Sequence, residues 1–198
     1  MKKKYLLLLC LTLAMALVLS ACRAQTDTQS TLDGSAGNSG VAFAVGERVF
    51  GDFTATDLDG VPVDQSLFTD HKLTMVNIWA TYCSPCLSEM PDLGELHQSY
   101  ADQGFQVVGI VLDTLDQQGE ILPAQVDTAR QIADQTGAAY THLLPSEDLI
   151  TAKLKNVTGV PETLFLNGEG KIVGKAYLGA RSYEQWQQII EQMLSEVS

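Results

Sequence analysis

Basic residues are scarce in this chain: 12 Lys and Arg stand against 24 Asp and Glu, for a formal net charge of -12. That balance excludes nucleic acid as a partner, because phosphate binding needs clustered cations. Cysteine is scarcer still. Of four, Cys10 lies inside an apolar N-terminal run, Cys22 directly follows it, and only Cys83 and Cys86 fall in the remainder. A small secreted fold stapled by disulfides carries more of them, spread along the chain. Two cysteines three positions apart close too small a loop to stabilise much, so the pair reads as chemical rather than structural. His71, His97 and His142 are scattered without ligand spacing, and no second cysteine pair completes a zinc site. No metal is expected. The longest apolar run, Tyr5–Leu19, covers about fifteen residues, short of the ~20 a spanning helix needs.

That run, preceded by Lys2, Lys3 and Lys4, has the basic and apolar regions of a secretory signal, against the alternative of an uncleaved anchor. It closes on Leu19-Ser20-Ala21-Cys22, which resembles the lipobox of bacterial lipoproteins. The resemblance implies cleavage of a signal peptide at 1–21 and lipidation of Cys22, giving extracytoplasmic attachment to a membrane through lipid chains rather than a helix. Residues 22–44 are rich in Ser, Thr, Gly, Gln, Asn and Asp and cannot bury enough apolar area to order themselves, so a flexible tether is expected. A folded domain is expected over 45–198.

Within that domain, Phe53–Leu58 and Val61–Val63 flank Asp59-Gly60, a hairpin signal. Leu73–Ala80 and Phe105–Leu112 are apolar runs suited to strands buried on both faces. Cys83–Tyr100 reads as a helix with a kink at Pro91, and Asp113–Gln125 as a loop insertion. Val126–Thr136 is expected to be helical and to end at Gly137, followed by a strand at Ala139–Leu144 and a helix at Glu147–Leu154. Thr163–Asn167 and Lys171–Leu178 form a second hairpin, and Tyr183–Val197 a final amphipathic helix. The order predicts an α/β fold with a mixed central β-sheet flanked by helices and an extra N-terminal β-hairpin.

Cys83-Ser84-Pro85-Cys86 sits where the first buried strand passes into a helix. A cysteine at a helix N-terminus meets unpaired N–H groups and the positive end of the dipole, which favour thiolate over thiol. Cys83 is therefore the expected nucleophile, and Cys86, one turn later and more buried, the resolving thiol. Covalent haem is excluded because Leu87, not His, follows Cys86, and no cofactor is expected.

The stretches VNIWATYCSPCLSEMPDL (76–93) and GVPETLFLNGEGKIV (159–173) resemble the thioredoxin superfamily, in its membrane-tethered branch similar to TlpA, ResA and the cytochrome-maturation thioredoxins. FTATDLDGVPVDQSLF (53–68) matches the extra hairpin of that branch, so the likeness spans most of 45–197. The resemblance implies a thioredoxin fold and thiol–disulfide exchange. It implies that Val160-Pro161 is the cis-proline docking element facing the cysteines, and that Glu89 is an acidic residue near them, able to exchange the Cys86 proton. Glu162 is a weaker candidate for lining the site. Asn77 stands where cytoplasmic thioredoxins have a buried Asp, which shifts proton handling toward Glu89. Tyr82 replaces the tryptophan usual before the first cysteine. Trp79 and Tyr82 are candidates for the substrate-contact surface, with ordinary aromatic packing the alternative.

Ser84-Pro85, the pair tuning the potential, is closer to the Gly-Pro of reducing thioredoxins than to the Pro-His of strong oxidants. A reductant is expected, re-reduced by a membrane thiol carrier and acting on exported proteins: apocytochrome c, oxidised methionine sulfoxide reductase or misformed disulfides. Two other classes compete. A peroxiredoxin-like peroxidase needs Pro and Thr where Val76 and Ala80 stand. A non-catalytic surface-binding lipoprotein has no need of two intact cysteines and the proline.

Overall fold

β3 (Leu73–Trp79) is buried along its whole length and forms the middle strand of the main sheet. The computed structural model describes residues 44–197, so the expected leader, Cys22 and the expected tether before Ala44 lie outside the described residues. β3 pairs in parallel with β4 (Phe105–Val111), which pairs in parallel with β5 (Thr141–Leu143). On its other side β3 pairs antiparallel with β6 (Glu162–Asn167), and β6 antiparallel with β7 (Ile172–Leu178). The five-stranded order β5-β4-β3-β6-β7 is the mixed sheet expected, and a separate hairpin of β1 (Thr54–Thr56) and β2 (Pro62–Asp64) precedes it. In that hairpin's turn the Asp57 carboxylate accepts from the N–H groups of Asp59 and Val61, with Gly60 at φ 80°.

Strand alternation divides the core in two. Leu73, Met75 and Trp79 of β3 join Phe105, Val107 and Val111 of β4 under α1 (Ser84–Ser99), α2 (Pro123–Thr136) and α4 (Tyr183–Glu196). Val76, Ile78, Val108 and Ile110 face the other way, toward Leu149 of α3 (Glu147–Ala152) and the aromatic residues Phe50, Phe53 and Phe68. Those three rings lie 5.9–6.3 Å apart, and such pairs add about 0.5–1.5 kcal/mol each beyond their burial. They pin the segment ahead of the sheet to its second face. Among the described residues no helix is long and apolar enough to cross a membrane.

Several boundaries differ from expectation. α2 begins at Pro123 rather than Val126, because proline in a first helical turn gives up an N–H that has no partner there. The insertion is thereby shortened to 113–122 and is closed by a bridge between Leu115 and Ile121. α1 runs without interruption through Pro91, which lies on its exposed side. α3 stops at Ala152 and a short 3-10 turn, Leu154–Asn156, replaces its last turn. α4 opens with a reciprocal capping box: Ser182 accepts from the Gln185 N–H while its own N–H donates to the Gln185 side chain.

One packing arrangement depends on a glycine. The Trp79 indole N–H donates to His142 Nδ1 at 3.1 Å, which leaves His142 Nε2 to donate to the Ala138 carbonyl at 3.0 Å. Burial pushes the His142 pKa down to about 4, so the ring is neutral in this network at neutral pH. The imidazole lies directly over Gly109, where an added Cβ would come within 2.2 Å of Nδ1. Gly109→Ala is expected to destabilise the chain by about 1–3 kcal/mol, as overpacking of a rigid core does, read as a lower urea midpoint. An unchanged midpoint would show that the imidazole is free to move.

Candidate active site

The parallel pairing of β3 and β4 brings their C-terminal ends to one edge of the sheet, the edge where α/β folds place their ligands. There the chain turns through Ala80, whose carbonyl accepts from the Cys83 N–H, and α1 begins. Cys83 is the N-cap, with extended backbone, and Ser84 and Pro85 occupy the first helical positions. The Cys86 N–H donates to Cys83 Sγ at 3.2 Å. The two cysteines are joined in a disulfide with Cα atoms 5.3 Å apart. Their exposure is unequal: Cys83 retains 6 % and Cys86 none, with Ser84 and Pro85 exposed between them.

The turn ahead of Cys83 is held by a clamp that the sequence did not announce. Asp113, at the end of β4, accepts from the Thr81 N–H at 3.1 and 3.2 Å and from the Thr81 hydroxyl at 2.5 Å. Gln125 in the first turn of α2 donates to both Asp113 and Thr81. Asp113 at the start of the insertion and Gln125 just beyond its end are thus both tied to Thr81, two residues before Cys83. Only the rule that parallel strands share their C-terminal edge points to Asp113, and it needs the pairing to be known.

Opposite the helix, the Val160–Pro161 peptide bond is cis. The β3–β6 register pairs Ile78 with Glu162, and one step further sets buried Pro161 level with Trp79, at the same edge of the sheet. The Pro161 carbonyl accepts from the Gly179 N–H at 2.8 Å, and Val160 packs on the cluster that contains both cysteines.

Glu89 is inside the protein, at 2 % exposure, on the same side of α1 as Cys86. One carboxylate oxygen accepts from Asn77 Nδ2 at 3.0 Å, the other from the Arg181 N–H at 3.1 Å and the Trp186 indole N–H at 3.0 Å. Asn77 Nδ2 also donates to the Thr163 hydroxyl, and Asn77 Oδ1 is buried without a partner. Burial pushes the Glu89 carboxyl above its ordinary value, and the Trp186, Arg181 and Asn77 donors and the Arg181 charge pull it back in part.

Two proposed contact residues are placed elsewhere. Trp79 is fully buried with its N–H committed to His142, so it packs the core and is not part of a contact surface. Glu162 forms an ion pair of 2.6 Å with Lys153, both side chains being largely buried. Tyr82, by contrast, is 73 % exposed beside Cys83. Among the described residues no group of three or more His, Cys, Asp or Glu side chains is placed to hold a metal.

Residues 44–185 match the Redoxin family. The chain is 25 % identical over 141 residues to the thiol-disulfide oxidoreductase ResA of Bacillus thuringiensis, covering 71 % of this chain and 74 % of that one. It is 31 % identical over 113 residues to the thiol:disulfide interchange protein HelX of Rhodobacter capsulatus, over 57 % of this chain and 56 % of HelX. Among solved structures it resembles a putative thiol:disulfide interchange protein DsbE from Chlorobium tepidum, with a TM-score of 0.61 and 25 % identity, over 77 % of this chain and 99 % of that one.

The raised Glu89 pKa links stability to pH. Folding favours the protonated carboxyl, so the stability it contributes is complete below the ordinary carboxylate range and is lost as pH rises through the raised folded value. Glu89→Gln should remove that loss: urea midpoints measured from mildly acid to neutral pH should fall less in the variant than in the parent. The orphaned Asn77 Oδ1 can turn to accept from the new amide, which keeps the substitution compatible with the fold. Parallel pH curves for the two proteins would contradict the assignment.

Proposed function

The chain belongs to the Redoxin family as a thioredoxin-like thiol–disulfide oxidoreductase, and from that premise we propose that it acts outside the cytoplasm as a reductant of disulfides in exported proteins. The observation that carries the reading is the bonded Cys83–Cys86 pair at the first turn of α1, with one sulfur reachable and the other enclosed.

In the reduced chain the Cys83 thiolate attacks a substrate disulfide. A bond forms between Cys83 and one substrate sulfur, and the other substrate sulfur leaves as thiolate. Cys86 then gives its proton to the Glu89 carboxylate and attacks Cys83 Sγ. The intramolecular disulfide forms, the mixed disulfide breaks, and the second substrate thiolate departs and is protonated. Two electrons have passed to the substrate, and a dithiol carrier in the membrane must return them. The Cys86 N–H, already aimed at Cys83 Sγ, stabilises the thiolate both before attack and when that sulfur leaves. Pro161 and Val160 supply the docking edge for substrate backbone, Tyr82 an exposed face beside the nucleophile, and Ser84-Pro85 sets the potential. Lipid on Cys22 holds this chemistry at a membrane surface. Apocytochrome c and methionine sulfoxide reductase are the substrate candidates, each presenting a cysteine pair outside the cytoplasm.

Cys83→Ser should abolish reduction of insulin disulfides, and Cys86→Ala should accumulate a mixed disulfide through Cys83 with its substrate, seen as a thiol-reversible mass shift. Turnover unchanged in Cys83→Ser would exclude this mechanism.

A further inference from the structure

The turn between β7 and α4 touches both sides of the site. Gly179 donates its N–H to the Pro161 carbonyl at 2.8 Å, and two residues later Arg181 donates its N–H to Glu89 at 3.1 Å. The turn thus bridges the cis-proline and the buried carboxylate directly. The Arg181 side chain is half-buried and folds back over the turn. Its Nη1 donates back to the Gly179 carbonyl at 2.7 Å, and the guanidinium lies over the rings of Tyr177 and Trp186, 4.8 and 5.0 Å from their centroids. Trp186 is shared, since its face carries the guanidinium while its N–H donates to the same Glu89 oxygen that Arg181 engages. Ser182, the next residue, is fixed by the capping box of α4, so the turn has little freedom to shift.

We propose that Arg181 is a positioning residue of the redox site, which through its backbone N–H and its ring-held positive charge biases Glu89 toward its ionised form. The proposal rests on Glu89 as the proton partner of Cys86. A fixed cation near a buried carboxyl favours the ionised form, the form that can take a proton from the Cys86 thiol. When Cys86 attacks Cys83 Sγ its proton moves to Glu89, and it passes on to the substrate thiolate as the mixed disulfide breaks. Without the charge, only the Trp186, Arg181 and Asn77 N–H donors would oppose burial, and Glu89 would stay protonated to higher pH, with less base available for that step. The other groups facing Glu89 are Asn77 from β3, Trp186 from α4, the buried Tyr140 hydroxyl ahead of β5, whose ionisation Glu89 opposes, and Cys86 on its own helix. Among these facing groups Arg181 is the cation, and it is the one residue that also reaches the proline through its own turn.

The test uses Arg181→Met, which keeps the stem over Trp186 and the backbone N–H while removing the charge, and Arg181→Lys, which keeps a charge. The Glu89 carboxyl is titrated by 13C NMR in the disulfide form, and decay of a preformed Cys83 mixed disulfide is followed against pH. In Arg181→Met the Glu89 midpoint should move up by about half a pH unit or more, with the rate profile moving alike, and Arg181→Lys should restore most of both. An unmoved Glu89 midpoint in Arg181→Met overturns the proposal. A midpoint that moves while the rate profile stays in place upholds the hold of Arg181 on Glu89 and overturns instead the role of Glu89 in resolution.

Discussion

The N–H of Cys86 points at the sulfur of Cys83 from 3.2 Å, and this contact exists only because a fully buried strand ends one short turn before a helix begins. β3 has no freedom to slide. A one-residue slip would turn Leu73, Met75 and Trp79 away from the helices and Val76 and Ile78 toward them. With β3 fixed, Ala80 to Cys83 has to turn in place, and the Asp113–Thr81–Gln125 clamp holds that turn from the side. The helix then presents its open N-terminus to Cys83, the cysteine of the pair that solvent reaches. Pro85 suits this arrangement, because it starts a helix without adding an unpaired donor.

Behind the cysteines lies a buried polar cluster. Asn77, Glu89, Thr163 and Trp186 are all buried and joined by hydrogen bonds, with the Arg181 N–H closing the set. Polar groups so placed cost stability unless each is satisfied, and here Asn77 Oδ1 is not. An apolar residue at position 89 would pack more simply on this face. That a carboxyl is held there, with three N–H donors and a cation set against its burial, is the pattern of a site whose proton affinity matters.

Much of this was legible in the sequence because periodicity and punctuation agreed. LTMVNIWA had to be a doubly buried strand, CSPC had to open the next helix, and Gly168-Glu169-Gly170 had to turn β6 into β7. What misled was local chemistry with two meanings. Pro123 reads as a breaker and is a helix start, so the insertion looked longer than it is. Trp79 lies next to the motif in sequence, but it ends a strand buried on both faces, and its N–H is taken by His142, for which Gly109 leaves room. Glu162 adjoins the cis-proline, yet Lys153, nine residues earlier and without any signal of its own, captures the carboxylate. Asp113 and Arg181 were invisible for a common reason: each acts through a contact between segments far apart in sequence, which only the register of the sheet and the packing of α4 create. The expected signal peptide, the expected lipidation at Cys22 and the expected tether before Ala44 fall outside the described residues.

The proposed chemistry needs two unequal sulfurs, with Cys83 as nucleophile at the helix terminus and Cys86 as enclosed resolver, and limited alkylation tells them apart. The reduced chain is treated at neutral pH with less than one equivalent of iodoacetamide, and the labelled cysteine is located by peptide mass spectrometry. Label should fall on Cys83 with Cys86 left free. Label divided evenly between them, or placed first on Cys86, would rule out the assigned roles.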